Sequence, residues 1–215
     1  MQILRKIGIC GALLWFCTAS FTYAAVLVNV PFTPQAPSGD WREPFQNFCE
    51  EASVVMVAHT IWGVSLTPEI AELEMRLIQR YEDLVFGRSK DNSIEDMAAV
   101  LRALYGFNGV ETRIIRSADE IKDELRQGAV VIAPAAGRLL KNPYFRAPGP
   151  LYHMIVIRGF DDADGSFVTN DPGTRRGNGL RYPATRLFDA IHDWNGGDVL
   201  HGEKRIMIVR SASKY

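Results

Sequence analysis

The spacing of apolar residues predicts helices in the first half of the chain and mostly strands in the second. Apolar positions recur at helical intervals in stretches that begin at a capping residue or a proline and end near a glycine. The helices are predicted over about 49–62, 67–86, 93–105, 117–128 and 184–194. Alternating or continuous apolar runs predict strands at 26–33, 110–115, 129–133, 152–160, 165–169 and 205–210.

This order of elements predicts the fold class. Helices that precede strands are typical of an α+β fold with an antiparallel sheet. The acidic turn at 161–164 joins two of the strands into a hairpin. The segment Pro134–Pro150 is predicted to be a long loop, and loops of that length inside a domain are usually functional. No repeat or low-complexity linker interrupts the chain, so residues 25–215 are predicted to form a single domain.

Residues 1–24 predict a secretory signal peptide. Arg5 and Lys6 precede a short apolar stretch over 7–16, and small residues follow up to a cleavage site after Ala24. The apolar stretch is too short for a permanent membrane anchor. We therefore expect an exported protein, periplasmic or extracellular, with no membrane anchor after signal cleavage.

Charge and cysteine content narrow the function classes. The chain has 24 Lys and Arg against 25 Asp and Glu, with no basic run, so neither nucleic acid nor an anionic membrane surface is an expected partner. Two of the three cysteines, Cys10 and Cys17, lie in the signal peptide. Cys49 then stands alone in an oxidising compartment and has no partner for a disulfide.

Cys49 lies where an irregular segment becomes the first predicted helix. The free N–H groups of a first helical turn favour negative charge, so this position is suited to a thiolate. A free cysteine is also often a small buried apolar residue. Its place before the apolar face of the helix favours a nucleophile.

His153 is the candidate base among four histidines. His59 lies ten residues beyond Cys49 on the same predicted helix, too far along it to touch the thiol. His192 and His201 lie in polar surroundings, where a solvated surface is expected. His153 opens an apolar strand directly after the long loop, which suits either a core residue or a site residue.

Asp171 is the candidate orienting group. If the hairpin pairs symmetrically about Asp162, Asp171 lies level with His153, because each is nine residues away. A carboxylate there could fix the tautomer of the imidazole. Asn170 could do the same work, and Asn-Asp-Pro-Gly is also a good turn sequence by itself.

Four segments carry a resemblance to a known family. Together they resemble bacterial proteins similar to the bacteriocin-processing, double-glycine-leader peptidases, which are papain-like cysteine peptidases. The resemblance extends from about Val30 to Val209. The segments are Val30–Gln35 with Trp41, Cys49–Ser53 with Met56, Tyr152–Asp161, and Thr169–Gly173.

The resemblance implies a papain-like fold in which N-terminal helices pack on a C-terminal antiparallel sheet. It implies that Cys49 attacks, that His153 acts as base and then acid, and that Asp171 orients His153. Gln35 would bind the oxyanion together with the Cys49 backbone N–H, and Gln46 is the rival for that role. No cofactor or metal is implied, and the partner would be a peptide or protein substrate.

Glu50 and Glu51 replace the Cys-Gly that follows the nucleophile in leader peptidases, so specificity for double-glycine leaders is not expected. Three alternatives stay open at this point. A transglutaminase-like acyltransferase uses the same order of Cys, His and Asp. A non-catalytic envelope binding module would keep the fold with an inert thiol. Cleavage of cell-wall peptides fits the compartment, although no separate wall-binding segment is evident.

Overall fold

The computed structural model of the chain describes residues 24–210. The predicted signal peptide, with Cys10 and Cys17, lies outside the described residues except for Ala24. The helices are α1 (Cys49–Trp62), α2 (Pro68–Val85), α3 (Ile94–Tyr105), α4 (Ala118–Arg126) and α5 (Ala184–Ala190). The strands are β1 (Ala25–Leu27), β2 (Val110–Ile114), β3 (Val130–Ala136), β4 (Tyr152–Asp161), β5 (Ser166–Asn170), β6 (Asn178–Pro183) and β7 (Arg205–Val209).

These strands form one seven-stranded sheet. Six of them follow the order β2-β7-β3-β4-β5-β6, and β1 pairs with the far end of β4. Every pairing is antiparallel. The prediction of an α+β fold with helices packed on an antiparallel sheet is confirmed.

The central strands are buried on both faces. Along β4, Met154 and Val156 pack into the apolar cluster that contains α1, α2 and α3, while Ile155 and Ile157 pack into a second cluster with α4 and α5. This alternation is the period-two geometry of a strand. α1 is enclosed almost completely, so its first residue is held firmly against the sheet. None of the helices within residues 24–210 is long and apolar enough to cross a membrane.

Helix boundaries follow the capping signals closely. α3 begins after a capping box between Ser93 and Asp96, and α2 begins with Thr67 as cap and Pro68 at its first position. α1 ends before Gly63, which adopts the left-handed conformation that favours glycine.

The predicted bounds of the strands and of the last helix were less accurate. The strand predicted over 26–33 is only Ala25–Leu27, and α5 ends at Ala190 rather than near residue 194. β3 continues through Pro134, so the predicted long loop is shorter and contains a 3₁₀ helix over Gly137–Leu140. Pro134 is tolerated there because β7 pairs with β3 only as far as Ile132.

The edge strand β6, Asn178–Pro183, was not predicted because its apolar alternation is limited to Leu180 and Tyr182. The hairpin register also differs from the symmetric pairing assumed above. Asn170 pairs with Val156 instead of residue 154, and a bulge lies between Ile157 and Gly159. The main reason is the position of the turn: Asp161 pairs with Ser166, so the hairpin is centred between Ala163 and Asp164 rather than on Asp162. The bulge changes the register beyond it by one residue.

Candidate active site

A cavity of about 840 Å³ lies between the helical layer and the loops of the sheet. Cys49, His153, Gln35 and Gln46 all line it. Asp171 does not line the cavity, because it is fully buried behind His153. The fold thus gathers residues that are far apart in the chain around one space large enough for a ligand.

His153 and Asp171 form a direct contact. The Nε2 atom of His153 lies 2.7 Å from Oδ1 of Asp171. A carboxylate at that position requires the proton on Nε2, which leaves Nδ1 as the acceptor of a neutral imidazole. Nδ1 of His153 has no hydrogen-bond partner within residues 24–210, so it is available to a group in the cavity.

Asp171 is held as a carboxylate by four donors. Besides His153, it accepts hydrogen bonds from Asn142 Nδ2 at 2.9 Å, from the Tyr182 hydroxyl at 2.6 Å and from the Gly173 N–H at 2.9 Å. Burial by itself would raise the pKa of Asp171, but the charge of His153 and these hydrogen bonds outweigh it and lower the pKa.

Asn142 and Tyr182 were not identified from the sequence. Asn142 lies inside the segment read as one long loop, and Tyr182 lies on the strand that was not predicted. No local pattern marks either residue, because each meets Asp171 only through the tertiary fold.

The imidazole of His153 is packed tightly on two sides. The Phe145 ring meets it edge-on, with centroids 5.1 Å apart and planes at 85°. Gly173 lies against it so closely that an added Cβ would come within 2.8 Å of His153 Cε1. The ring orientation is therefore set by packing as well as by the Asp171 hydrogen bond.

Cys49 is the first residue of α1, and its thiol donates to Oε2 of Glu50 at 2.9 Å. Burial raises the pKa of the Cys49 thiol, and the adjacent Glu50 and then Glu51 raise it further. The expectation that the helix terminus stabilises a thiolate is thus wrong for the resting site. The free N–H groups are present, but burial and neighbouring carboxyl groups outweigh them.

Glu50 and Glu51 are buried next to Cys49, and Glu82 of α2 is buried near both of them. The exposed fractions of Glu50, Glu51 and Glu82 are 2%, 1% and 0%. Neither carboxyl oxygen of Glu51, nor either one of Glu82, has a hydrogen-bond partner within residues 24–210. Burial raises the pKa of all three, and that of Glu82 reaches about 8. After burial, the neighbouring Glu82 raises the pKa of Glu51 most.

The two glutamines differ in their surroundings. Gln35 is 5% exposed, its backbone N–H donates to the Pro172 carbonyl at 2.9 Å and its side chain donates to the Phe45 carbonyl at 3.0 Å. Gln46 is exposed and its side chain donates to Glu43. Gln35 is the more firmly positioned of the two lining residues.

The other histidines lie elsewhere. His59 contacts Glu74 at 3.0 Å, His192 lies 3.0 Å from the Gly202 carbonyl and His201 is exposed beside Asp198. None of them lines the cavity. No group of three or more His, Cys, Asp or Glu residues in the described part of the chain is placed to hold a metal ion.

Comparison with known proteins identifies the family. The sequence profile of the Peptidase C39-like family matches residues 27–196, which is most of the chain. No protein with a curated description matches at a significant level.

Among solved structures, a C39-like peptidase from Bacillus anthracis superposes with a TM-score of 0.55 at 16% identity, over 88% of this chain and 100% of that one. UfSP from C. elegans gives a TM-score of 0.45 at 14% identity, over 91% of this chain and 35% of that one, a value too low to establish a shared fold. The matched profile, supported by the fold of the Bacillus anthracis protein, shows that this chain belongs to the C39-like family of papain-like cysteine peptidases.

Proposed function

We propose that this protein is an exported cysteine peptidase that hydrolyses a peptide or isopeptide bond through an acyl-thioester on Cys49. The observation that carries the proposal is the meeting of Cys49 and the His153–Asp171 pair at one cavity. A nucleophile, a base and a group that orients the base are the parts that thiol catalysis needs. Export rests on the composition of residues 1–24.

The first half of the reaction forms the thioester. The thiol leaves its hydrogen bond with Glu50 and gives its proton to Nδ1 of His153, and the sulfur attacks the substrate carbonyl carbon. Gln35 and the Cys49 backbone N–H are the proposed donors to the oxyanion, where one donor contributes about 10²–10³ in rate. The C–N bond then breaks as His153 returns the proton to the leaving amine.

The second half releases the acyl group. Water gives a proton to His153 and attacks the thioester carbonyl, and the proton passes back to the departing sulfur. Asp171 remains a carboxylate throughout, since its four hydrogen bonds stabilise the charge. Its part is to hold the imidazole and to stabilise the imidazolium that forms.

The test uses the mature chain, the Cys49→Ala variant and a mixed peptide library read by mass spectrometry in ¹⁸O-water. Hydrolysis predicts new carboxyl ends that carry ¹⁸O and that vanish with Cys49→Ala. An acyltransferase would instead join the acyl group to an added amine, and a binding module would leave every peptide intact. Either of those results would overturn the proposed hydrolysis.

A further inference from the structure

The two walls of the cavity carry opposite charge. Arg146, Arg175 and Arg176 line it from the loops that follow β3 and β5. Glu50 and Asp91 line it from the helical layer. The arginines thus lie on the His153 side, and the carboxyl groups lie on the Cys49 side.

The arginines of the cavity have no carboxylate partner within residues 24–210. Elsewhere on the protein, arginines are commonly paired. Arg113 lies 2.6 Å from Glu124, and Arg181 lies 2.7 Å from Asp164. A guanidinium left without a partner beside a cavity keeps its donors available for an anionic ligand.

Two of these arginines are held in place by neutral contacts. The guanidinium of Arg176 lies 5.2 Å from the centre of the Tyr144 ring, next in sequence to the Phe145 that packs on His153. Arg175 donates to the Gly39 carbonyl at 3.3 Å. A Cβ at Gly39 would lie 2.1 Å from that guanidinium, so the close approach requires glycine. These contacts position the cations and leave their charge unneutralised.

We propose that Arg146 and Arg176 bind a carboxylate of the substrate near the scissile bond, so the preferred substrates are acidic peptides. This inference rests on the proposed function and names its substrate class. A planar guanidinium matches the geometry of a carboxylate. Glu50 and Asp91 repel the same group from the opposite wall, which gives the bound peptide a direction. The carboxylate can belong to an Asp or Glu side chain or to a C-terminus.

Binding is measured on mature protein carrying Cys49→Ser, so that no turnover is needed. The probes are short fluorescein-labelled Ala/Leu/Gly peptides with one central Glu, Gln or Lys, each with a free or an amidated C-terminus. Fluorescence anisotropy at low salt is expected to show the Glu peptide binding about five- to tenfold more tightly than the Gln peptide. Added salt should reduce that ratio, because the charges are partly exposed.

The double substitution Arg146→Ser/Arg176→Ser should bring the Glu-to-Gln ratio close to one. Arg116→Ser/Arg186→Ser is the matched control, since both residues are exposed, lie outside the cavity lining and change the net charge equally. If tight binding requires a free peptide C-terminus, the bound carboxylate is the C-terminal one of the peptide. Equal binding of Glu and Gln peptides, or equal losses in both double variants, would overturn the proposal.

Because this readout needs no catalysis, it is independent of the peptidase activity. Cleavage that depends on Cys49 but shows no preference for acidic peptides would overturn the proposed carboxylate site and leave the proposed peptidase function standing. Acidic-peptide binding without turnover would remove the proposed hydrolysis and leave the binding site.

Discussion

Buried carboxyl groups lie on both sides of the cavity, and the two sides treat them differently. On the sheet side, Asp171 is fully buried but accepts four hydrogen bonds, and its pKa is lowered. On the helical side, Glu51 and Glu82 are equally buried, and the pKa of each is raised. Burial is thus common to both clusters, and the difference lies in the donors.

Hydrogen-bond donors decide whether a buried carboxyl group is ionised or protonated. A carboxylate with several donors keeps its charge inside the protein, whereas one without them takes up a proton. Asp171 therefore acts as a fixed negative charge behind His153. Burial raises the pKa of Glu51 and Glu82, and burial together with the neighbouring Glu50 raises the pKa of the Cys49 thiol, whose hydrogen Glu50 accepts.

Removing the charge of Asp171 should have the largest effect. Asp171→Asn keeps the shape but no longer stabilises the imidazolium or fixes the tautomer of His153, so kcat should fall by about 10³–10⁴. Steady-state assays on a cleaved peptide measure the loss. Asp189→Asn, an exposed residue, is the control. Activity retained within a factor of about ten would contradict the assigned role.

Glu82→Gln tests how much the buried Glu82 carboxyl lowers the free energy of unfolding. Because the folded pKa of Glu82 is about 8, against an ordinary value near 4.5, its carboxyl lowers stability progressively as pH rises from about 4.5 to about 8. The variant should therefore be more stable than the parent by about 1–3 kcal/mol at pH 8, with little gain below pH 5.

Urea unfolding at several pH values measures this difference. Asp189→Asn removes an exposed charge from α5 that does not act on Glu82, and it should leave the pH dependence unchanged. Equal pH slopes for the parent and Glu82→Gln would show that Glu82 does not hold its proton in the folded state.

Glu50→Gln should make the Cys49 thiol more acidic. It removes the Glu50 carboxylate, whose Oε2 lies 2.9 Å from Sγ, and places an amide donor there, so the thiol pKa should fall. Alkylation by iodoacetamide at pH 7 should then be about tenfold faster. Glu69→Gln, exposed in the first turn of α2, is the control. An unchanged labelling profile would mean that this contact does not set the thiol pKa.

Tyr182→Phe should have the smallest effect, since Asp171 keeps three donors. We expect a loss of about 1 kcal/mol in stability and a severalfold loss in kcat/KM. Tyr105→Phe is matched, because its hydroxyl donates to Glu74 at 2.9 Å outside the cavity lining. It should lose comparable stability while kcat/KM stays the same. If both variants lost activity equally, Tyr182 would have no specific link to the site.

Local sequence signals predicted the helices well. Thr67 with Pro68, the Ser93–Asp96 box and Gly63 act within a single turn, so neighbours in sequence are enough to determine them. The strands β3 and β6 depended on their neighbours in the sheet. Pro134 could stand in a strand only because the β7 ladder ends earlier.

The sequence by itself determined the order of helices and strands, the α+β class and the residues that resemble the family motifs. Only the tertiary structure decided the charge state of the site. Asp171 contacts His153 although the hairpin turn is centred between Ala163 and Asp164 rather than on Asp162. The raised pKa of Glu51 depends partly on Glu82, brought from another helix. Hydrogen bonding and burial depend on atoms that are close in space, whereas helix caps depend on residues that are close in sequence.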